Sequence, residues 1–590
     1  MIEQLSWKVG GQQGEGIEST GEIFSAALNR LGYYLYGYRH FSSRIKGGHT
    51  NNKIRVSTKP VRAVADDLDI LVAFDQETID FNFHELHRGG IVIADAKFNP
   101  VIPEQEGVSL YVVPFTEIAT ELGNSLMKNM VAIGATSAVL GLDASVFESV
   151  VADTFARKGT QVVEKNMEAI RAGAQYMKKQ LDGRAEPMKL AKADGKQRMF
   201  MIGNDAIALG ALAGGARFMA AYPITPASEI MEYLIKKLPE FGGAVIQTED
   251  EIAACTMAIG ANYAGARAFT ASAGPGLSLM AEAIGLAGMT ETPLVVVDTQ
   301  RGGPSTGLPT KQEQSDLLAM IYGTHGEIPK IVMAPSTVEE AFYDMAEALN
   351  LAEEYQCPVI FLSDLQLSLG KQTVEPLDYD RIDIRRGKLV TGELPPLAGK
   401  ENFKRYELTP DGISPRVLPG TKHGIHHVTG VEHAETGRPS ETAANRQAQM
   451  EKRMRKLEHV HFPTPVHKYI RHEEPDLLLV GFLSTRGAIE EAIERLEQDG
   501  VKVNHAHIRL LHPFPVDEMR PLVEKAKRVV VIEQNATGQL ASLLKMNVGH
   551  ADKMASVLKF DGNPFLPGDV YNKCKELLAQ WPPLKISAMM

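Results

Sequence analysis

The sequence predicts a multidomain α/β protein in which layered α/β units follow one another along the chain. At 590 residues the chain is too long for one hydrophobic core. Three long segments alternate short apolar runs with stretches of helical periodicity, as expected for strands covered by helices. A further long segment lacks this pattern. The chain is therefore predicted to hold three folded units, a linker and a connecting region.

The first unit is predicted to span residues 1–180. Apolar residues recur at helical spacing over residues 17–31. We expect a layered fold with a mainly parallel sheet. A Lys-rich stretch with glycine and proline, residues 181–196, is predicted to be a linker. The strand candidates of the first unit are residues 5–9, 70–74, 91–95 and 110–113.

The second unit, residues 197–372, shows the same alternation more clearly. A helix is predicted at residues 338–354, and polar, Gly-rich turns follow most strands. Because α/β sheets bind ligands beyond the carboxyl ends of their strands, these turns are candidates for chemistry. The strand candidates are residues 218–221, 244–247, 268–270, 294–298 and 359–362.

Residues 373–473 form an extended connecting region that is rich in Pro, Gly, His and charge. A stretch of this length without a core pattern is either a functional wrap or a disordered linker. A basic helix is predicted at residues 446–456. Strand–helix alternation returns over residues 474–590, with strands at 477–481, 502–508 and 529–533 and a helix at 488–498.

Composition and charge argue against several function classes. The net charge of −11 argues against nucleic acid or an anionic membrane as the main partner. No apolar run approaches the roughly 18–20 residues of a membrane span, and the N-terminus lacks the parts of a secretory signal. Cys255, Cys357 and Cys574 have no CxxC spacing, so they cannot hold a four-cysteine iron–sulfur cluster or form a disulfide framework. A reducing cytoplasm is the expected location.

Residues 222–226, Tyr-Pro-Ile-Thr-Pro, directly follow a strand candidate. Thr225 can cap the next helix, since Pro226 suits a first helical turn. A threonine at this place would also face the ligand crevice of the sheet. On the local pattern alone, helix capping is the favoured interpretation.

Residues 248–251, Thr-Glu-Asp-Glu, follow the next strand and are predicted to begin a helix. Acidic side chains in a first helical turn are favoured by the helix dipole, which accounts for Glu249 and Asp250. The same explanation covers Glu251 unless that side chain is directed at a ligand.

Residues 300–310 form a loop with three glycines and two prolines after a strand. This composition predicts a fixed, nonhelical loop whose backbone can approach a ligand closely. Arg301 supplies a planar fork that suits a carboxylate or a phosphate. A structural arginine that bridges loops is the alternative.

Together these stretches, with TASAGPG at residues 270–276, HPFP at 512–515 and EQN at 533–535, resemble one family. They match the alpha subunit of 2-oxoacid:ferredoxin oxidoreductases of the fused gamma–alpha type, and most resemble 2-oxoglutarate:ferredoxin oxidoreductase. The resemblance covers nearly the whole chain. It implies a gamma-type α/β domain, then a pyrimidine-binding fold for thiamine diphosphate, then a transketolase C-terminal-like domain.

The resemblance also implies roles for individual residues. Glu251 matches the glutamate that hydrogen-bonds the aminopyrimidine ring of thiamine diphosphate and so helps the ring to take a proton from thiazolium C2. Thr225 and Arg301 match the residues that bind the keto oxygen and the carboxylate of the 2-oxoacid, and Thr310 matches a further active-site threonine. The other implied cofactor contacts are Tyr222, Pro223, Ile224 and Ser272.

Two parts of such an enzyme are missing from the sequence. The nearest string to a GDG-type diphosphate turn is DGN at residues 561–563, and it does not qualify. Cysteines for a cluster relay to ferredoxin are also missing. We therefore expect no metal ligands in this chain. A beta subunit is expected to supply the diphosphate half of the site, with Mg2+, and a [4Fe-4S] cluster. The expected assembly is a heterotetramer of two alpha and two beta subunits.

Two other stretches have features of binding sites. Arg44 and Lys46, in a basic loop, are candidates for contact with coenzyme A, and a solvated basic turn is the alternative. The Gly-rich stretch at residues 10–16 departs from the dinucleotide order, so NAD is rejected there, although a phosphate or cofactor arm would fit. A metal site is not expected at His423, His426, His427 and His433.

The expected function is oxidative decarboxylation of 2-oxoglutarate to succinyl-CoA, with coenzyme A as co-substrate and ferredoxin as electron acceptor. Pyruvate or a broad range of 2-oxoacids is the alternative. A transketolase-type enzyme would need a diphosphate motif in this chain. A non-catalytic subunit would not need Thr225, Glu251 and Arg301. The sequence leaves open the preferred oxoacid and the physiological direction.

Overall fold

The computed structural model describes residues 1–42, 47–104, 107–184, 186–397 and 402–580. The chain forms two compact units. The first comprises Met1–Ile202 with Leu369–Pro376, and the second comprises Gly203–Ser368 with Leu377–Met590. Within the described ranges, no helix is long and apolar enough to cross a membrane.

The first unit is built on an eight-stranded sheet with helices packed against it. Trp7 and Phe24 stack in its core with ring centroids 4.3 Å apart. The strands are β1 (Gln4–Gln12), β2 (Tyr34–His40), β3 (His49–Ser57), β4 (Leu68–Ala73), β5 (Leu86–Asp95), β6 (Ser109–Val113), β7 (Met199–Met201) and β14 (Gln372–Val374), in the order β6-β5-β4-β1-β3-β2-β14-β7. The helices are α1 (Ile17–Arg30), α2 (Gln76–Asn82), α3 (Phe115–Glu121), α4 (Lys128–Val139), α5 (Glu148–Phe155) and α6 (Thr160–Leu181).

Within residues 1–180, where a mainly parallel sheet is predicted, three strand pairs are parallel and two are antiparallel; β14 and β7 add two antiparallel pairs, so the complete sheet is mixed. Only the pairs β1–β4, β4–β5 and β5–β6 are parallel, and the pairs from β1 through β3, β2 and β14 to β7 are antiparallel. β3 escaped notice because its buried positions include Asn51, Asn52, Lys53 and Arg55 rather than an apolar run. β7 lies at the start of the predicted second unit, and β14 spans the predicted boundary between that unit and the connecting region, yet both extend the first sheet.

The second unit contains two sheets, in the orders β18-β12-β13-β11-β10-β8-β9 and β15-β17-β16-β19-β20. The strands are β8 (Phe218–Ala221), β9 (Ala244–Gln247), β10 (Ala268–Ser272), β11 (Leu294–Gln300), β12 (Ile331–Met333), β13 (Pro358–Asp364), β15 (Val466–Tyr469), β16 (Leu477–Phe482), β17 (Val503–Ile508), β18 (Leu510–His512), β19 (Val529–Glu533) and β20 (Met554–Leu558). The helices are α7 (Gly203–Ala213), α8 (Ser228–Lys237), α9 (Glu251–Tyr263), α10 (Gly274–Met289), α11 (Leu317–Tyr322), α12 (Val338–Tyr355), α13 (Leu365–Leu369), α14 (Ala443–Arg455), α15 (Arg486–Gln498), α16 (Val516–Lys525), α17 (Gln539–Val548) and α18 (Pro567–Gln580).

The two sheets define two domains of this unit, which we call the seven-stranded-sheet domain and the five-stranded-sheet domain. The first is parallel from β12 to β9, and β18 pairs with its edge in the antiparallel sense. The bounds of β8, β9 and β19 agree with the sequence prediction residue for residue. The five-stranded sheet begins with β15, before the predicted start at residue 474.

The described part of the connecting region is folded onto the seven-stranded-sheet domain, which excludes the disordered-linker interpretation for that part. α14 confirms the predicted basic helix, although part of its charge faces inward: Lys452 and the adjacent Lys456 pair with Glu291, and all three side chains are buried. Glu353 likewise pairs with Arg416 of the connecting region. Removing one partner of such a buried pair strands the other charge, so these contacts bind the region firmly.

Candidate active site

Four of the turns that the sequence singles out meet at the carboxyl edge of the seven-stranded sheet. β9, β8, β10 and β11 are neighbours, with Ala221 beside Gln247 and Ser272 beside Asp298. The turn after β8, the start of α9, the end of β10 and the loop after β11 therefore share one edge. This is the edge at which parallel α/β sheets bind ligands.

The capping interpretation of Thr225 is wrong. α8 begins at Ser228, and its N-cap residue is Ala227, which offers no side-chain cap. The backbone N–H groups of Ala227 and Ser228 both donate to the carbonyl oxygen of Ile224 instead, at 2.7 and 3.1 Å. This turn satisfies the first amide donors, so the Thr225 hydroxyl is not needed as a cap.

Glu251 is the first residue of α9 and is buried. Asp250 is the cap: its carboxylate accepts from the Ala253 N–H at 2.7 Å. A β-carbon placed on Gly276 would lie 2.0 Å from Ser272 Oγ and 2.8 Å from Glu251 Cγ. Glu251 and Ser272 thus converge beside a position that only glycine can fill.

Arg301 follows β11 and joins two of these turns. Its Nη1 donates to the carbonyl oxygen of Thr225 at 2.6 Å, while its Nε has no partner among the described residues. Burial lowers the pKa of Arg301, and the carboxylate of Asp316 opposes that shift. The guanidinium is therefore fixed in place and retains an unused donor.

The edge is crowded with buried polar atoms that have no partner among the described residues. Burial and the neighbouring Asp316 raise the pKa of Asp298 well above its ordinary value. Burial also raises the pKa of Asp316 to about 6, helped by Glu313 and opposed by Arg301. Buried polar groups are normally hydrogen-bonded, so such a concentration marks a place for a ligand or ordered water. The atoms concerned are Thr270 Oγ1, Ser272 Oγ, both carboxylate oxygens of Asp298, Arg301 Nε and Asp316 Oδ2.

Sequence reasoning missed Thr270, Asp298 and Asp316. An available signal was the aspartate at the end of the apolar run in β11, because an acidic residue there is buried at a ligand-binding edge.

The other predicted residues lie in varied surroundings. Tyr222 is exposed, and Pro223 and Ile224 are half-buried, on the turn after β8. Thr310 is buried, but no hydrogen bond within the described ranges joins it to Thr225, Glu251 or Arg301. The coenzyme A candidates Arg44 and Lys46 lie outside the described residues.

Two of the four histidines that the sequence singles out in the connecting region make ordinary hydrogen bonds through their rings. His426 contacts the carbonyl oxygen of Gly424 and the hydroxyl of Tyr263, and His433 contacts the carbonyl oxygen of Val431. The described part of the chain holds no group of three or more His, Cys, Asp or Glu side chains that could bind a metal ion.

The chain is similar over nearly its full length to named enzyme subunits. It is 35% identical over 625 aligned residues to the 2-oxoacid:ferredoxin oxidoreductase subunit alpha of Sulfolobus sp, covering 95% of each chain. The chain belongs to the family of 2-oxoacid:ferredoxin oxidoreductase alpha subunits. It is also 32% identical to the 2-oxoglutarate oxidoreductase subunit KorA of Mycobacterium tuberculosis, over 98% of this chain and 92% of that one.

The solved structure of a 2-oxoglutarate:ferredoxin oxidoreductase from Magnetococcus marinus, with 2-oxoglutarate, coenzyme A and succinyl-CoA bound, is also similar to this alpha subunit. Its TM-score is 0.90 at 37% identity, and the match covers 98% of this chain and 100% of that one. The predicted fold class and family are confirmed.

Three family descriptions match successive parts of the alpha subunit. They are pyruvate ferredoxin/flavodoxin oxidoreductase at residues 6–176, the thiamine diphosphate-binding region of pyruvate flavodoxin/ferredoxin oxidoreductase at 209–453, and pyruvate:ferredoxin oxidoreductase core domain II at 475–570. The thiamine diphosphate-binding match contains the edge described above. The unused Ser272 hydroxyl and the Glu251 carboxylate, which both lie beside Gly276, fit the polar rim of an aminopyrimidine.

Proposed function

We propose that this alpha subunit, together with a beta subunit, converts 2-oxoglutarate and coenzyme A to succinyl-CoA and carbon dioxide. Two electrons leave one at a time through a [4Fe-4S] cluster of the beta subunit to two molecules of ferredoxin, and one proton is released. The observation that carries the proposal is the set of unpartnered donors and acceptors around Glu251 and Arg301 at one sheet edge.

Arg301 is proposed to bind the carboxylate next to the keto group. Its fork is already oriented by the hydrogen bond to the Thr225 carbonyl oxygen, so little freedom is lost when substrate binds. Thr225 lies in the turn that Arg301 contacts, and its hydroxyl is proposed to bind the keto oxygen. Thr310 stays a candidate for a further contact with substrate.

Glu251 is proposed to hydrogen-bond the aminopyrimidine ring and so to help the ring to gain and lose a proton. Thiamine diphosphate, when bound, supplies the nucleophilic carbon and the electron sink for decarboxylation. Ser272 and the turn of Tyr222, Pro223 and Ile224 are proposed to line the ring. The burial of Glu251 favours this arrangement, because a carboxylate that is shielded from water interacts more strongly with a ring beside it.

The beta subunit is proposed to cover the helices beside this edge and to bring the diphosphate and Mg2+ half of the site. Large apolar side chains that are exposed on α9 and α10 support this position: Ile252 at 48%, Met257 at 39% and Leu279 at 52%. Exposed apolar groups of this kind are typical of a protein interface. We propose a heterotetramer of two alpha and two beta subunits.

The choice of 2-oxoglutarate, with coenzyme A as acyl acceptor, is supported by the Magnetococcus structure and by the name of the mycobacterial relative. Arg44 and Lys46 remain proposals for the coenzyme A contact. A cytoplasmic location is proposed because Cys255, Cys357 and Cys574 are free and buried.

The test is to co-express the chain with its beta subunit and to measure dye reduction that depends on coenzyme A for 2-oxoglutarate and for pyruvate. We expect a clearly greater kcat/KM for 2-oxoglutarate. A greater value for pyruvate would overturn the choice of substrate, and turnover by the alpha subunit alone would overturn the two-subunit proposal.

A further inference from the structure

The Arg301 loop, residues 301–316, is held at its second half by the five-stranded-sheet domain. Three amide side chains of that domain, Gln534, Asn535 and Gln539, all hydrogen-bond this loop or the helix that follows it. We call these three residues the amide clamp. They follow the end of β19, and the last of them begins α17.

Gln534 and Gln314 bind each other through backbone and side chain. The Gln314 N–H donates to the Gln534 carbonyl oxygen at 2.6 Å, and the Gln534 N–H donates to Gln314 Oε1 at 3.1 Å. The Gln534 side chain accepts from Gln312 Nε2 at 2.9 Å and donates to the Asn563 carbonyl oxygen at 2.9 Å. Such paired contacts are directional and fix the register of the loop.

Asn535 adds a second contact to the same point. Its Nδ2 donates to the Gln314 carbonyl oxygen at 3.1 Å, and its Oδ1 accepts from the Gly538 N–H at 2.8 Å. Both ends of the side chain are therefore used, so Asn535 itself is held while it holds the loop.

Gln539 is the clamp residue nearest to the charges of the site. Its Nε2 donates to the Ser315 carbonyl oxygen at 2.6 Å, and its Oε1 accepts from the Leu318 N–H at 2.9 Å. These two contacts lie on either side of Asp316, whose N–H donates to Oε1 of Gln300, the residue before Arg301, at 3.0 Å. The charge of the Asp316 carboxylate also acts on Arg301. The half-buried side chain of Gln539 thus fixes the backbone of Asp316, which in turn is hydrogen-bonded beside Arg301.

We infer that the amide clamp is a positioning device for the substrate-binding arginine, with Gln539 as its most direct positioning residue. The inference rests on the proposed role of Arg301 as the carboxylate-binding group. It gives the five-stranded-sheet domain a task in substrate recognition, although its clamp residues contact the loop and not the proposed substrate contacts. A loosened loop would let Asp316 and Arg301 drift, and binding of a carboxylate by a two-pronged group depends strongly on geometry.

The test uses the complex of the alpha and beta subunits and the variant Gln539→Ala. We expect the KM for 2-oxoglutarate to rise about tenfold, as for the loss of one or two ordinary hydrogen bonds, while kcat and the KM for coenzyme A stay within about twofold. Hydrogen exchange should become faster over residues 312–318. Gln539→Glu has the same volume and sets a carboxylate against the Ser315 carbonyl oxygen, so it should raise the KM at least as much.

Asn547→Ala is the matched control. Asn547 lies on the same helix, is also half-buried, and donates through its amide to Leu543 of its own helix at 2.9 Å. This variant should leave both KM values and the exchange of the loop unchanged. An equal effect of the two alanine variants, or an equal rise of both KM values in Gln539→Ala, would show a general structural role and overturn the inference.

Arg301→Lys, measured beside them, separates the two levels of the argument. If Arg301→Lys raises the KM for 2-oxoglutarate and neither Gln539 variant does, the clamp inference fails and the proposed function stands. If Arg301→Lys leaves that KM unchanged, the proposed role of Arg301 fails, and the clamp inference fails with it.

Discussion

Two strand ends in the second unit place a buried carboxylate at the same kind of position and treat it in opposite ways. Glu533 ends β19, and its oxygens accept from Leu540 N at 2.7 Å, Ala541 N at 3.0 Å and Asn535 Nδ2 at 2.8 Å. Asp298, near the end of β11, has no partner for either oxygen among the described residues. Both side chains are fully buried, and burial raises the pKa of each.

This difference in hydrogen bonding distinguishes a structural contact, at Glu533, from a candidate binding site, at Asp298. Around Glu533 the polar groups satisfy one another, and the neighbouring amides continue the pattern across the domain contact. Around Asp298 the chain leaves donors and acceptors unused, which costs stability unless a ligand or ordered water completes them. The unmet hydrogen bonds of the seven-stranded-sheet domain therefore suit a ligand, and the satisfied ones of the five-stranded-sheet domain serve structure.

The largest effect is expected at the binding edge, in Glu251→Gln. The glutamine keeps the volume and one acceptor oxygen but loses the charge, so kcat should fall by about 10²–10⁴, the usual contribution of acid–base assistance. Steady-state kinetics of the complex, with thiamine diphosphate binding measured separately, checks this. Glu249→Gln, an exposed neighbour, should have no effect. Normal turnover of Glu251→Gln would reduce Glu251 to a helix-start acid.

The next effect concerns Arg301→Lys, which keeps the charge and loses the fork. The KM for the 2-oxoacid should rise roughly ten- to hundredfold and more than the KM for coenzyme A, because charge-assisted hydrogen bonds are worth about 1.5–3 kcal/mol. Arg217→Lys is a control, since among the described residues the Arg217 side chain donates to the backbone carbonyl oxygens of Leu212 and Ala216 alone. A selective effect on coenzyme A would place Arg301 at a phosphate.

The two carboxylates can be compared directly by stability. Glu533→Gln places an amide N–H where backbone donors converge, and should lower the free energy of unfolding by about 1–3 kcal/mol. Asp298→Asn loses no hydrogen bond among the described residues and removes a carboxylate whose pKa is raised by burial and by Asp316, so the loss of unfolding free energy should stay below about 0.5 kcal/mol. Chemical denaturation measures both. Equal losses of unfolding free energy in the two variants would contradict the contrast between the structural contact at Glu533 and the candidate site at Asp298.

The smallest effect is a difference in acid response between the two domains. Burial lowers the pKa of His505 to about 3 and that of His507 well below its ordinary value. Below about pH 6.5 these two imidazoles become protonated in the unfolded chain but stay neutral in the folded one. Their contribution to stability therefore falls as the pH falls from about 6.5. Asp316, with its pKa raised to about 6, binds its proton earlier when folded, so its contribution grows as the pH falls through 6.

Hydrogen exchange at pH 7.5 and 5, corrected for intrinsic rates, would detect this difference. β17 should lose protection on acidification before β11 does, and His505→Gln should reduce that loss. Earlier opening of β11 would contradict the assignment of acid sensitivity to the five-stranded-sheet domain.

Most of the strands and the family could be predicted from the sequence, and parts of the site could not. Apolar runs mark β8 and β19 because a strand buried on both faces carries apolar residues at nearly every position. β3 was missed because a strand whose buried positions hold asparagine, lysine and arginine has no such run. Thr225 was interpreted as a cap because local pattern cannot show that the Ile224 carbonyl oxygen takes the amide donors first.

The sequence by itself determined the order of the domains, the motifs at the strand ends and the residue types that suit a carboxylate and an aminopyrimidine. These are local properties, because hydrophobic periodicity and turn composition act over a few residues. Only the tertiary structure decided that Asp316 lies close enough to Asp298 to raise its pKa, and that Gly276 leaves room for Glu251. It also decided that Gln539, from another domain, hydrogen-bonds the backbone on both sides of Asp316. Each of these depends on groups that are distant along the chain, and burial, which sets their pKa values and unmet hydrogen bonds, exists only once the chain has folded.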